Sequence, residues 1–401
     1  MSSSAGRPDD RAASAAPADV GPAALGRSRY SLADVLPALL RALGEPGPDG
    51  GPDIAPVRAA ALLLVDGLGA QLLRQYASDA PFLAALPDAG PVRTGFPSST
   101  SISLTTLGTG LPPGAHGMVG ISFRAGPGEL LDSLHWTTLG PGRQRDLRGQ
   151  FPPETMQPEQ TLFERAAAAG ITVRVVSQQI FAGSGLTRAA LRGGEFRGTR
   201  ALGDLAAEVI DAVTGPGRRL CYAYHADLDS VGHLRGPGSM AWRLQLAQVD
   251  RLAALIAERM PAGALLAITG DHGMVEVNRR YDADTDPDLQ AGVALLGGDP
   301  RARHVYTEPG AVRDVLAAWR ATLGPDAWVV SREQAVAEGW FGPVAAHVQD
   351  RIGDIVVATR GTAAVVRSVA EPFLATMPGQ HGSLSRAEQL VPLLLAGTDN
   401  T

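Results

Sequence analysis

The 401-residue sequence contains no lysine. Schiff-base chemistry and the P-loop both need that ammonium group, so both are excluded. Cysteine is almost as scarce: Cys221 is the single one, so no internal disulfide can form. It lies in the apolar run RRLCYAYH, which predicts a buried, inert thiol in a reducing compartment. Long hydrophobic runs are missing too. The longest, such as AAALLLV before Asp66, fall far short of the roughly 20 residues that span a bilayer. No basic stripe offsets the net charge of -6, which argues against a nucleic acid polymer as partner. The first thirty residues are rich in Ala, Pro, Gly and Ser and lack a continuous apolar segment. They read as a disordered tail over residues 1–30 and not as a signal peptide. The expectation is a cytoplasmic protein without a membrane partner. Nothing in the sequence specifies its oligomeric state.

What is present is a series of short apolar runs, each ending in a polar or Gly-containing turn: 57–67, 171–178, 218–227, 264–273, 353–361 and 388–397. They are too short and too evenly apolar for surface helices and suit strands covered on both faces. Between them, 240–260 and 311–324 carry apolar residues at three- and four-residue spacing, the pattern of amphipathic helices. Strands alternating with helices imply an α/β fold with a doubly wound, mostly parallel central sheet. A single domain is expected over 31–401, with loop insertions at about 121–165 and 277–350 forming a small cap. In such sheets ligands bind beyond the carboxyl ends of the strands.

Asp66, Asp229 and Asp271 each follow an apolar run directly or within a few residues. In LLLVDGLG, Asp66 is succeeded by glycines that let the chain turn, although an Asp there is also a common turn or cap residue. FPSSTSISLTTLGTG (96–110) crowds hydroxyls at the start of a helix, whose N-terminus attracts anions. DLDSVGHLRGP (227–237) sets Asp229 four residues before His233, close enough for both to reach one cation; Asp227 competes for the same role. ITGDHGM (268–274) delivers Asp271 and His272 consecutively at a strand end, where a turn can send the two side chains to neighbouring metals. MPGQHGSLS (377–385) places His381 between glycines. Three carboxylates, three imidazoles and a hydroxyl make a donor set for two adjacent zinc sites, which manganese or iron also suit. Of the other histidines, His116 reads as structural or supporting and His225 as a residue lining the site. His135, His304 and His347 have no such company.

The order VDGLG, the Ser/Thr run closing in TGLPPGAHG, DSVGH, GDHG and GQHGS resembles the type I phosphodiesterase/nucleotide pyrophosphatase family of the alkaline phosphatase superfamily, over roughly residues 57 to 397. The resemblance implies an alkaline phosphatase-like fold and hydrolysis of phosphate esters through a phosphothreonine intermediate on two zinc ions. It assigns Asp66, Asp271 and His272, together with the nucleophile, to one ion, and Asp229, His233 and His381 to the other. The family's nucleophile stands ten residues before the Gly of the Thr-Gly pair closing its helix. Counting back from Gly110 gives Thr100. Ser99 is the alternative, because the family's Thr precedes Phe-Pro whereas Gly95 precedes Phe96 here. The Asn that many relatives carry after His-Gly is also missing, since this chain reads Val119, Gly120, Ile121. The expected partner is a small phosphate ester, with a nucleotide among the candidates. A phosphomonoesterase or sugar-phosphate mutase of the same superfamily is the enzymatic alternative. A metal-binding scaffold is the non-enzymatic one. A sulfatase is excluded, because no C/S-x-P-x-R motif sits near residue 100.

Overall fold

The computed structural model describes residues 29–47, 50–140 and 142–397. Most of the expected tail, residues 1–28, lies outside the described residues, while Tyr30–Ser31 already pair in parallel with Val92–Arg93. Five strands form most of the central sheet: β1 (Ala59–Val65), β2 (Thr172–Gln178), β3 (Glu195–Thr199), β4 (Arg219–His225) and β5 (Ala264–Thr269). A second sheet holds β6 (Val293–Asp299), β7 (Ala302–Thr307), β8 (Ala327–Ser331) and β9 (Ile355–Thr359). The chain then returns through β10 (Leu393–Gly397), giving the central order β10-β5-β1-β4-β2-β3. All neighbours in it run parallel except β10, which is antiparallel to β5.

All seven residues of β1 are buried. Successive side chains of a strand point to opposite faces, and β1 divides accordingly. Ala59, Ala61, Leu63 and Val65 join one core cluster, while Ala60, Leu62 and Leu64 join another. A strand covered on both faces has no polar positions to alternate, which explains the unbroken apolar run. Four helices matter for the site: α1 (Thr100–Thr109), α2 (Leu202–Val213), α3 (Asp227–Arg235) and α4 (Met240–Ala257). Apolar residues of α2 and α4 fill the first cluster and Leu104 and Leu107 of α1 the second, so the sheet is wound on both sides. The second amphipathic pattern forms the helix Val312–Leu323.

Three features depart from the sequence reading. The run 353–361 contributes β9, which pairs with β7 and β8 in the second, wholly antiparallel sheet and not in the central one. The two insertions are not loops. One carries the antiparallel strands Ser122–Gly126, Glu129–Asp132 and Thr137–Thr138, and the other supplies most of the second sheet. Finally, the edge strand β3, EFRGT, is half-exposed. It borders solvent and so lacks the apolar run that marks its neighbours.

Candidate metal centre

Parallel pairing gathers the strand ends. Leu64 is opposite Thr269 and Val65 opposite His225, so Asp66, the segment after β5 and the start of α3 meet at one edge of the sheet. Gly67 makes the turn after Asp66 at φ 76°, and its N–H donates to Asp271 Oδ1 at 3.0 Å. The GDHG turn is equally tight. A Cβ on Gly273 would stand 1.9 Å from the carbonyl oxygen of Ala387, so the turn tolerates only glycine at that close approach.

Seven side chains named from the sequence converge here. His272 Nε2 lies 3.3 Å from Asp66 Oδ1 and 3.5 Å from Asp271 Oδ2, and Thr100 Oγ1 is 3.3 Å from the same nitrogen. One turn of α3 brings His233 Nε2 to 3.2 Å from Asp229 Oδ2. His381 Nε2 is 3.2 Å from His233 Nε2 and 3.9 Å from Asp229 Oδ1. The rings of His272 and His381 stack with centroids 3.6 Å apart, which brings the two halves of the centre into contact. Asp229, His233 and His381 form one group of metal-ligand geometry, and Asp66, Asp229 and His272 form another. Asp229 thus reaches both halves. Asp271 stands at the edge of the second group, with Oδ1 already accepting from the N–H groups of Gly67 and His272. Asp227 belongs to neither group.

Each imidazole is oriented through its other nitrogen. Nδ1 of His233 faces Gly379 O at 2.8 Å, that of His381 faces Ser98 O at 2.9 Å, and that of His272 faces Gly273 O at 3.1 Å. A carbonyl accepts only, so each Nδ1 carries the proton and each Nε2 presents a lone pair inward. Asp66 Oδ1, Asp229 Oδ1 and Asp271 Oδ2 are buried without a hydrogen-bond partner. Lone pairs and orphan carboxylate oxygens packed this closely make a site suited to a metal cation, and the O/N donor set fits divalent ions of the zinc type.

The charges respond to this crowding. Burial raises Asp66 well above the usual carboxylate range, the charges of Asp271 and Asp229 push it further, and the Tyr224 hydroxyl pulls the other way. Burial also pushes Asp229 up, but His233, His381 and His272 outweigh it and hold the group low. His233 is raised because Asp229 overcomes the effect of burial. Burial and then the neighbouring His272 hold His381 well below an ordinary histidine.

Two supporting residues escaped the sequence reading. Tyr224, buried near the end of β4, donates its hydroxyl to Asp66 Oδ2; it was visible in RRLCYAYH but carries no motif. Asp299 closes β6 and accepts from Ser99 Oγ at 2.9 Å. Burial lifts Asp299 to about 6, against the lowering effect of the Ser99 hydroxyl. Its signal, an Asp ending an apolar run (VALLGGD), matches that of Asp66. The remaining histidines settle differently. His116 is buried against Thr106 Oγ1 at 3.0 Å, and His225 is buried beside Gln245 at 3.3 Å. His304 is not incidental: buried, it donates Nε2–H to Val119 O at 2.8 Å and accepts from Gly353 N–H at 3.0 Å.

Residues 60–384 match the type I phosphodiesterase/nucleotide pyrophosphatase family. The chain belongs to that family. Membership makes it an enzyme of the phosphodiesterase/nucleotide pyrophosphatase-like hydrolase type. No curated protein sequence matches it. Among solved structures, human ectonucleotide pyrophosphatase/phosphodiesterase 5 is similar, with TM-score 0.63 at 20% identity over 84% of this chain and 88% of that one. An inactive threonine-to-alanine variant of the murine protein, in complex with AMP, gives TM-score 0.64 at 16% identity, covering 85% and 88%. Phosphonoacetate hydrolase from Sinorhizobium meliloti 1021, in complex with phosphonoformate, gives 0.60 at 20% identity, covering 85% and 90%. These likenesses establish an alkaline phosphatase-like fold for this family member. Among the described residues no helix is long and apolar enough to cross a membrane.

Proposed function

We propose that this family member hydrolyses small phosphate esters with Thr100 as nucleophile and two divalent ions, zinc by donor type, as cofactors. The observation that carries the reading is the convergence of three imidazole Nε2 atoms and three orphan carboxylate oxygens, with the Thr100 hydroxyl 3.3 Å from His272 Nε2. Asp66, Asp271 and His272 would hold one ion and Asp229, His233 and His381 the other. Bound there, the pair supplies Lewis acidity that lowers the pKa of a hydroxyl and offsets charge on a leaving oxygen. The chain's own residues do the rest. Thr100 Oγ1 forms the bond to phosphorus as the ester oxygen departs, giving a phosphothreonine that water then hydrolyses. The first-turn N–H groups of α1 favour the equatorial oxygens of the phosphoryl group. Tyr224 holds Asp66 in orientation. The inactivity of the murine threonine-to-alanine variant supports the role given to threonine. Its AMP keeps a nucleotide among the candidate substrates, although Val119, Gly120 and Ile121 stand in the stretch after His-Gly where many relatives carry an Asn. The free, buried Cys221, its thiol pushed up to about 12 by burial, is compatible with a cytoplasmic setting.

The test is metal analysis of dialysed protein joined to a comparison of bis-p-nitrophenyl phosphate with p-nitrophenyl phosphate. About two zinc ions per chain and faster turnover of the diester are expected. Full activity in protein that retains no metal would overturn the reading.

A further inference from the structure

Ser99 has the extended backbone of an N-cap, φ -143° and ψ 152°, and immediately precedes the first residue of α1. Serine is among the most favoured caps because its hydroxyl accepts from a first-turn N–H. Here the helix has no side-chain cap. The Ser99 hydroxyl donates instead to Asp299 Oδ1, and Ser98 Oγ is occupied at 2.9 Å by Ser383 O. Asp299 comes from the second sheet, 200 residues on, and is 2% exposed. Its other oxygen, Oδ2, is buried without a partner. Burying a carboxylate with one oxygen unpaired is costly, whereas Ser99 would be satisfied at no such cost by capping its own helix. Gly382 fits against the same carboxylate, since a Cβ there would lie 3.0 Å from Asp299 Cβ. Asp299 is therefore wedged between the segment leading into Thr100 and the residue after His381.

We propose that Asp299 is a positioning residue that draws the Ser99 hydroxyl out of the capping position and so keeps the start of α1 open for a phosphoryl oxygen. This rests on the phosphate-ester reading above. A first-turn N–H can serve a cap or a substrate oxygen but not both fully. With the acceptor at 299 removed, the Ser99 hydroxyl turns to the first turn of its own helix and competes with the ligand.

The test measures inorganic phosphate binding to zinc-reconstituted protein by calorimetry, with zinc content checked in each variant. Asp299→Ala should weaken phosphate about 10-fold, the scale of one cap. Adding Ser99→Ala to Asp299→Ala should restore affinity to within about 3-fold of the unmodified protein, since alanine cannot cap. A merely structural role for Asp299 would leave the double variant as weak as the single one. Should Asp299→Ala fail to fold, Asp299→Leu fills the volume without an acceptor and is paired with Ser99→Ala in the same way. Unchanged affinity in the single variant, or no recovery in the double, overturns the proposal. If the unmodified protein binds no phosphate and cleaves no ester, the functional reading falls and this proposal with it.

Discussion

Thr100 and Ser99 are adjacent hydroxyls, and their surroundings separate them. Thr100 Oγ1 lies 3.3 Å from His272 Nε2, whereas Ser99 Oγ donates a hydrogen bond to Asp299 Oδ1. Thr100→Ala should therefore lower diester hydrolysis by on the order of 10³-fold or more, the scale seen when an essential nucleophile is lost. Metal content should persist, because all six carboxylate and imidazole donors remain. Ser99→Ala should cost no more than about 10-fold, the scale of one lost hydrogen bond. Rate measurements with metal analysis on both variants check this, and the reverse order would make Ser99 the nucleophile. At this scale the sequence was informative where chemistry demands rare spacing: Asp229 to His233, or Asp271 beside His272. It was silent on Tyr224 and Asp299, because a residue that orients another through space leaves no pattern along the chain.

The elements that deliver these residues depend on turns with no room for a side chain. Gly273 lets the segment after β5 pass under Ala387, and an added methyl would collide with backbone that cannot yield. Gly203, near the start of α2, has nothing within 4 Å of an added Cβ. Gly273→Ala should lose metal and activity together, as the Asp271–His272 pair is displaced. Gly203→Ala should leave both intact and raise stability by about 0.5–1 kcal/mol through helix propensity. Thermal melts and zinc content of the two variants decide it, and a normal Gly273→Ala would mean that the turn relaxes without moving its ligands. β1 and β5 were legible because burial on both faces leaves them almost wholly apolar. Two things were not legible. The edge strand β3 has one side in solvent. For β9, an apolar run reveals burial but not which sheet does the burying.

Two buried histidines link the second sheet to the turn that follows α1. His304, on β7, holds the Val119 carbonyl beyond the His116 turn and receives Gly353 N–H. His116 spans Thr106 Oγ1 and Met118 N–H. Burial pushes His304 down to about 4, and burial followed by the charge of Arg351 pushes His116 down to about 3. Depressed folded values mean that the unfolded chain binds more protons at mildly acid pH. The stabilising contribution is therefore complete above the unfolded value of about 6.5 and is lost as pH falls toward the folded values. Each histidine should contribute up to about 1.4 kcal/mol of lost stability per pH unit in that window. Neither is a candidate metal ligand, so the effect can be isolated by substitution with a residue that does not titrate. His116→Gln and His304→Gln should each be less stable than the unmodified protein at pH 7.5, with a gap that narrows steadily as pH is lowered to 5. Urea unfolding of all three proteins at several pH values measures that gap. A gap that stayed constant would mean that both rings take up protons equally in the folded and unfolded states, and the acid sensitivity would then belong to other groups.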